Sequence, residues 1–233
     1  IYYICYRSEA DFETKFAKFL NKLLMELMTK YLTTPTINAV KPDIMKLNAA
    51  IVASDVPVFE FKAVDMSQLE TYIHSPNRNV VRMLLKTLAY EHQDELLPAR
   101  WEIEHILPRK WQTNYFPDES DDTMKEKIEQ IGNKLPFEKK LNIVAGNGYF
   151  DKKKKAYAAS KIAITNAMGT CDAMDWDLDS IMKRNIRVSD EVMKILNRWN
   201  SDYLNRPADE AEEEPSAEDL AHIEEFKKKG WIK

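Results

Sequence analysis

The sequence predicts a mainly α-helical chain with a small sheet, an α+β fold, on three observations. Apolar residues make up 44% of the 233 positions and charged residues 31%, which is typical of a chain that packs a globular core. Only 5 glycines are present, and apolar residues recur at helical spacing over several stretches. No long alternating run rich in Val, Ile and Thr occurs, so any sheet is expected to be small.

Residues 1–96 form the first predicted unit, a helical region that we expect to be the C-terminal part of a longer upstream region. The chain starts at Ile1 without a methionine or a signal-peptide pattern, which favours a fragment of a longer protein. Ser8 and Asp11 resemble a capping box at the start of the first apolar helix. Helices are predicted over residues 12–32, 42–53, 66–73 and 79–91. The simplest interpretation of this unit is a packing domain.

Residues 97–205 form the second predicted unit, in which a short strand occurs. Trp101, Ile103 and His105 alternate with their neighbours, and Pro108 ends the strand. Leu135 to Leu141 is predicted to be a second strand or hairpin arm. Helices are predicted over residues 120–131, 150–162, 177–187 and 189–204. Residues 206–233 are predicted to be an acidic, proline-containing linker followed by a short C-terminal helix.

Charge is distributed unevenly along the chain. The net charge of −4 and the pI of about 5.7 do not by themselves indicate a nucleic-acid binder. Residues 133–162, however, contain eight lysines and two carboxylates, whereas residues 209–219 contain seven acidic residues and no basic one. Such a lysine run is either a solvated helix face or a surface that contacts phosphates.

The cysteine content and the hydropathy exclude two classes of protein. Cys5 and Cys171 lie far apart, so they form neither a four-cysteine zinc site nor a disulfide framework. A reducing, cytoplasmic setting is expected from this usage. No run of 18 apolar residues occurs, so neither a transmembrane helix nor a membrane partner is expected.

The pair Glu104-His105 at the end of the first predicted strand is the candidate centre of the chemistry. Hydrolysis of a phosphodiester needs a base for water, a divalent cation for the developing negative charge and basic groups for the backbone. Histidine suits the base near neutral pH, and carboxylate and amide oxygens suit Mg²⁺ or Mn²⁺. Neighbouring residues on a strand point to opposite faces, so a twist or bulge must bring both side chains to one site.

Two asparagines downstream complete the candidate set. Asn133 and Asn142 are nine residues apart, and a hairpin arm with a turn can return both to Glu104 and His105. Asn142 would give its side-chain oxygen to the metal, and Asn133 would hydrogen-bond the histidine segment and fix its orientation. Each has a simpler interpretation, because asparagine also caps helices and occupies turns, and His105 alone is compatible with a structural histidine.

A longer ordered set of residues surrounds this centre: Ile103 to Pro108, Trp111, Gly132-Asn133, Glu138 to Asn142, Asn147, Phe150, Lys152-Lys153, Tyr157 and Ser160-Lys161. This set resembles the C-terminal nuclease domain of GmrSD-type modification-dependent restriction enzymes, which carries a ββα-metal (HNH, His-Me finger) motif. The resemblance covers roughly residues 98–205. Pro136 departs from the family pattern, because proline cannot donate a ladder hydrogen bond, and this puts the register of the hairpin in doubt.

The resemblance implies a small ββα-metal module within the mainly α chain and a role for each matching residue. His105 is the implied general base, and Glu104 and Asn142 are the implied ligands of Mg²⁺ or Mn²⁺, with no zinc. Asn133, the middle residue of the motif, is the second implied catalytic residue and places the base. Asn147 is a weaker candidate in the following loop. The residues expected to contact nucleic acid are Arg109, Lys110, Lys139, Lys140, Lys152 and Lys153.

The predicted function is therefore a metal-dependent DNA endonuclease of the HNH type, in the C-terminal part of a restriction or anti-phage defence enzyme. The resemblance implies that the enzyme acts in a prokaryotic cytoplasm on foreign DNA, whose bases are modified or unmodified. It also implies that a nucleotide-using N-terminal domain precedes this chain. Two alternatives remain open. One is a non-catalytic DNA-binding module built on the lysine-rich helix, and the other is a helical protein-interaction scaffold.

Overall fold

The computed structural model of the protein describes residues 1–111 and 116–204. Most of these residues are helical, and one two-stranded antiparallel sheet accompanies the helices, as the composition predicts. The elements, in chain order, are α1 (Tyr2–Tyr6), α2 (Phe12–Thr33), α3 (Lys41–Ala53), α4 (Leu69–His74), α5 (Arg78–Glu91), β1 (Trp101–His105), α6 (Asp121–Ile128), β2 (Lys134–Glu138), α7 (Lys139–Ala145), α8 (Phe150–Ala158), α9 (Ala163–Thr170) and α10 (Leu178–Leu204).

The helices of the first 96 residues lie close to their predicted positions because their apolar faces repeat at helical spacing. α5 starts after Asn77, whose side chain accepts a hydrogen bond from the Asn79 amide, and it buries five large aliphatic side chains. The predicted capping box of α2 is wrong. The helix begins at Phe12, so Asp11 and not Ser8 is the N-cap residue, and Asp11 makes no side-chain cap bond. Its carboxylate is paired with Lys15 at 2.8 Å.

The main core joins the two predicted units. Apolar side chains of α2, α4 and α5 share one cluster with Trp101 of β1, with Ile131 and Ile162, and with Val188, Val192 and Leu196 of α10. A second cluster lies around the hairpin and contains the side chains Leu135, Phe137, Phe150, Tyr157 and Trp176 among others. Trp101 and Trp176 are both buried in these clusters. The division at residues 96 and 97 stays a prediction.

The C-terminal half differs from the prediction in its helices. The two helices expected over residues 177–187 and 189–204 are one helix, α10. Ser189 was expected to start the second helix, but its hydroxyl bonds back to the Ile186 carbonyl and to His74, which is compatible with a continuous helix. The second hairpin arm ends at Glu138 because α7 begins at the next residue, so Asn142 lies within a helix. The lysine-rich helix ends at Ala158, and α9 follows as a separate helix.

The predicted acidic linker and last helix lie outside the described residues. Among the helices that the structure describes, none is both long enough and apolar enough to cross a membrane.

Candidate active site

β1 and β2 form the hairpin that carries Glu104 and His105. The strands run antiparallel, with Glu104 opposite Leu135 and His105 opposite Lys134. Pro136 lies opposite Ile103, and its carbonyl accepts a hydrogen bond from Thr165, on the side away from β1. Because the nitrogen and oxygen of one residue point to the same side of a strand, the Pro136 nitrogen also faces away from β1. The proline therefore removes no ladder bond, and the register remains regular.

Asn133 ties the segment after His105 to the start of β2. Its backbone carbonyl accepts from the Ile106 amide at 2.9 Å, and its side-chain oxygen accepts from the Leu107 amide at 2.7 Å. The side-chain nitrogen donates to the carbonyls of Leu107, at 2.9 Å, and Ile128, at 3.0 Å. The side chain is fully buried. It hydrogen-bonds the backbone of Leu107, two residues after His105, and its role in placing a base stays a prediction.

Side chains of helix α10 hydrogen-bond the backbone of residues 131–134, the segment that precedes and begins β2. The guanidinium of Arg184 donates to the carbonyls of Ile131, Gly132 and Lys134, and burial lowers its pKa to about 10. The Asn185 side chain accepts from the Gly132 amide at 2.6 Å. A Cβ atom at Gly132 would lie 2.2 Å from the Ile181 carbonyl oxygen, so this close approach requires glycine.

Glu104 is held by two donors from α8. Its Oε1 atom accepts from the Lys153 ammonium at 2.5 Å and from the Tyr157 hydroxyl at 2.8 Å. Lys153 also donates to the carbonyls of His105, at 2.6 Å, and Ile106. All three side chains are buried, so burial lowers the pKa of Lys153, which its contact with Glu104 opposes. Burial and the nearby carboxylate raise the pKa of Tyr157, which therefore stays protonated and acts as a donor.

The His105 ring is mostly buried, with 13% of the side chain exposed. Its Nε2 atom lies 3.4 Å from the Glu129 carboxylate. Burial lowers the pKa of His105 to about 4, and the cations of Arg109 and Lys134 add to this effect, while Glu129 opposes it. The ring is therefore neutral near pH 7, which is the state that a general base requires.

A pocket of about 250 Å³ brings together residues from β1, from the turn after it and from the α7–α8 segment. Glu104 and His105 both line this pocket, although neighbouring residues on a strand point to opposite faces. Its lining consists of Glu104, His105, Pro108, Arg109, Asn142, Gly146, Asn147 and Lys153.

The donor set at this pocket fits a hard divalent cation. Both hydrogen bonds to the Glu104 carboxylate end on Oε1, so these contacts leave Oε2 unused, and the amide of Asn142 lines the same pocket. Carboxylate and amide oxygens are the ligands that Mg²⁺ and Mn²⁺ prefer. Within the described residues, no three His, Cys, Asp or Glu side chains group as a metal site. A cation here would thus depend on Glu104, Asn142 and water.

The comparisons with known proteins identify the family. A family model described as the C-terminal domain of GmrSD restriction endonucleases matches residues 63–189, more than half of the chain. The chain belongs to this family. A search of curated proteins and a search of solved structures each gave no match. The match confirms the resemblance that the motif suggested and begins within the predicted helical unit. It makes the chain a nuclease-related domain of DNA restriction enzymes.

Four lysines expected to bind nucleic acid lie outside the pocket of this GmrSD C-terminal domain. Lys139 pairs with Glu102 at 3.5 Å, near the end of the hairpin remote from His105. Lys110, Lys140 and Lys152 are exposed and do not line the pocket. Their contact with DNA stays a prediction. Lys153 lines the pocket, but its ammonium is directed at Glu104, so any role in phosphate contact is also a prediction.

The sequence did not indicate three residues that contact the site residues or their partners: Tyr157, Glu129 and Lys134. Tyr157 was noted only as part of the resemblance, although its spacing of four residues from Lys153 places both on one face of α8. Glu129 carried no signal, because it ends an ordinary charged helix and meets His105 only in the folded chain. Lys134 was counted as part of the lysine run, yet it is buried and paired with Glu129.

Proposed function

We propose that this domain is a metal-dependent DNA endonuclease of the HNH type, with β1, β2 and the helix after them as its ββα-metal module. The observation that carries the proposal is the shared pocket of Glu104, His105 and Asn142. Glu104 and His105 come from β1 and Asn142 from α7, and together they supply a carboxylate, an imidazole and an amide in one place. A packing domain has no need of that combination.

His105 is the proposed general base. Its neutral ring takes a proton from a water molecule, the water oxygen forms a bond to phosphorus, and the bond from phosphorus to the 3′ oxygen breaks. The products are a 5′-phosphate and a 3′-hydroxyl, the leaving oxygen taking a proton from solvent. Asn133 fixes the backbone that carries the base, through its bonds to Ile106 and Leu107.

Glu104 and Asn142 are the proposed ligands of Mg²⁺ or Mn²⁺. When bound, the cation supplies positive charge to the phosphate and to the leaving oxygen. Lys153 holds Oε1 of Glu104 in place and lowers the cost of burying that carboxylate. Arg109, with 65% of its side chain exposed, lies at the pocket and is placed to contact a DNA phosphate.

The test is nicking of supercoiled plasmid, modified and unmodified, in Mg²⁺, Mn²⁺ or EDTA. We expect metal-dependent nicking that falls by about 100- to 10,000-fold in His105→Ala, the range for loss of a general base. His92→Ala is the matched control, because His92 is half-exposed and lies outside this pocket. Nicking that persists in EDTA would reject the metal, and equal loss in both variants would reject the assigned base.

A second experiment tests the ligands without relying on activity. Mn²⁺ binding to Glu104→Gln and Asn142→Ala is compared with the parent chain by electron paramagnetic resonance. We expect weaker binding in both variants and unchanged binding in Asn166→Ala, whose amide bonds to backbone carbonyls away from the pocket. Binding that is unchanged in Glu104→Gln contradicts the proposed ligand set.

One observation favours a second function, a non-catalytic DNA-binding module. The Lys153 ammonium already neutralises Glu104, so the pocket is stable without a metal. Such a module would bind DNA equally well in EDTA and Mg²⁺ and would cleave in neither. A protein-interaction scaffold has no observation of this kind in its favour within the described residues.

The cellular role that we propose follows from the family. The chain would act in a prokaryotic cytoplasm on foreign DNA, modified or not, together with a nucleotide-using domain. Plasmid cleavage by the chain alone, and then in the presence of the full-length protein and nucleotide, measures how far the domain depends on such a partner.

A further inference from the structure

Glu129 lies immediately after α6, outside the pocket, with its carboxylate among three basic side chains. Oε1 is 2.9 Å from Nε of Arg109, and Oε2 is 2.9 Å from Nζ of Lys134 and 3.4 Å from Nε2 of His105. The side chain is half-exposed, and it does not line the pocket that holds His105. Its carboxylate therefore contacts the proposed base without lining the pocket.

The position of this carboxylate is fixed by its neighbours. The Lys134 side chain is only 4% exposed, and Lys134 lies opposite His105 in the hairpin. The same ammonium also donates to the Glu129 backbone carbonyl, so it holds both the backbone and the side chain of one residue. Burial raises the pKa of Glu129, but the hydrogen bond from Lys134 and the nearby cations outweigh it and lower the pKa to about 2. The carboxylate is thus ionised near neutral pH.

An ionised carboxylate only accepts hydrogen bonds, so the ring atom that faces it must carry the proton. For His105 that atom is Nε2. A neutral imidazole has one N–H and one lone pair, so the lone pair then lies on Nδ1. The 3.4 Å distance is long, as hydrogen bonds in unliganded catalytic sites often are.

We propose that Glu129 is a positioning residue, which holds His105 as the Nε2–H tautomer and leaves Nδ1 as the atom that accepts the proton from water. This inference rests on the proposed nuclease function for the identity of the base. Lys134 and Arg109 in turn hold Glu129. The segment between α6 and β2 thus contains two residues that position His105. Asn133 holds the backbone that follows it and Glu129 holds its ring.

The arrangement also gives Glu129 an electrostatic task. Arg109 and Lys134 bring two positive charges close to the ring, and Glu129 supplies the one negative charge between them. Both cations pair with the carboxylate that faces Nε2 of His105, so that carboxylate is held in its ionised, hydrogen-bond-accepting form.

The kinetic experiment measures single-turnover nicking over a range of protein concentrations, which separates the maximum rate from the half-saturating concentration. We expect Glu129→Gln to lower the maximum rate by about 10- to 100-fold, the usual effect of removing an outer partner of a functional histidine. Glu129→Met, which also removes the acceptor, should be slower still. The half-saturating concentration should change by less than about twofold.

Two control variants remove a carboxylate without touching His105. Glu126→Gln alters an exposed residue of the same helix, and Glu191→Gln breaks a carboxylate contact to His92, at 2.6 Å, outside the pocket. Both should nick at the parent rate. A parent-like maximum rate in Glu129→Gln and Glu129→Met overturns the proposal, as does a change confined to the half-saturating concentration. Glu129→Met combined with Lys134→Met removes both members of the pair and provides a second variant if the single one unfolds.

A spectroscopic readout separates failure of this inference from failure of the proposed function. Nitrogen-15 shifts of the histidine rings at neutral pH report the tautomer, and the His105 signals are those missing from His105→Ala. The Nε2–H tautomer in the parent, lost or mixed in Glu129→Met, supports the role of Glu129 even if no DNA is cut. An Nδ1–H tautomer in the parent overturns it, even if nicking is strong.

Discussion

The helical region, residues 1–96, and the hairpin region, residues 97–204, are stabilised in different ways. Of the described residues, the helical region buries three polar or charged side chains, whereas the hairpin region buries ten. The ten include Glu104, Asn133, Lys153 and Arg184, each bonded to specific atoms. Apolar contacts depend on volume, but hydrogen bonds depend on direction and leave costly groups behind when one partner is lost. The hairpin region should therefore be the less tolerant of substitution.

The largest effect is expected from Lys153→Met. The new side chain fills similar volume but leaves the buried Glu104 carboxylate without its counter-ion, and loss of one member of a buried pair costs about 3 to 5 kcal/mol. Urea denaturation measures the change. Lys152→Met alters the exposed neighbour and should stay within about 0.5 kcal/mol of the parent. Equal stability of the two variants would contradict the proposed importance of buried polar pairs in the hairpin region.

Asn133→Leu should cost about 3 kcal/mol, since the Leu107 amide and the carbonyls of Leu107 and Ile128 lose their partner at about 1 to 3 kcal/mol per buried group. Thermal and urea unfolding both report this loss. Asn197→Leu, on the exposed face of α10, is the control and should be nearly neutral. A cost below about 1 kcal/mol at Asn133 would show that the turn keeps its shape without these bonds.

The pH dependence of stability tests the burial of His105. Its folded pKa of about 4 lies below the ordinary value of 6.5, so between these values the unfolded chain binds more protons. Stability from this residue is complete above pH 6.5 and is lost as the pH falls toward 4, by about 2 kcal/mol between pH 7 and 5. The lowered pKa of Glu129 acts below pH 4.5, outside this window. His105→Gln should flatten the curve there, and an unchanged slope would contradict the burial.

The smallest effect is expected in the helical region. Leu84→Met, at a fully buried position of α5, keeps the volume and should cost about 1 kcal/mol. The measurement is again urea denaturation. A cost as large as that of Asn133→Leu would mean that the helical region is packed as specifically as the hairpin, and the proposed contrast would fail.

Local patterns in the chain were sufficient for much of the fold. The alternation of residues 101–105 predicts β1, and the apolar face of residues 79–91 predicts α5 within one residue of its start. These local patterns did not place every helix end correctly. α10 continues through Ser189, whose hydroxyl contacts the Ile186 carbonyl and His74, 115 residues away, and caps no new helix. Likewise, α2 begins after Asp11 and not after Ser8, and the Asp11 carboxylate pairs with Lys15.

For the candidate site, too, the sequence suggested some residues and only the structure showed the others. The order of Glu104, His105, Asn133 and Asn142 predicts a metal and a base, and this chemistry stays a prediction, although the structure brings Glu104, His105 and Asn142 to one pocket. The family match then places the chain among the C-terminal domains of GmrSD restriction endonucleases. The supports were not predictable, since Tyr157 reaches Glu104 over 53 positions and Glu129 reaches His105 over 24.

By itself, the sequence determined the helical character and the position of β1, because these depend on local periodicity. It also predicted the site residues Glu104, His105, Asn133 and Asn142 from their types and order. Only the tertiary structure decided which charges are buried and paired. Lys153 and Lys152 are neighbours in one lysine run, yet the first lies against Glu104 and the second faces solvent. A helix turns by about 100° per residue, so adjacent lysines meet different surroundings, and the surroundings come from distant parts of the chain.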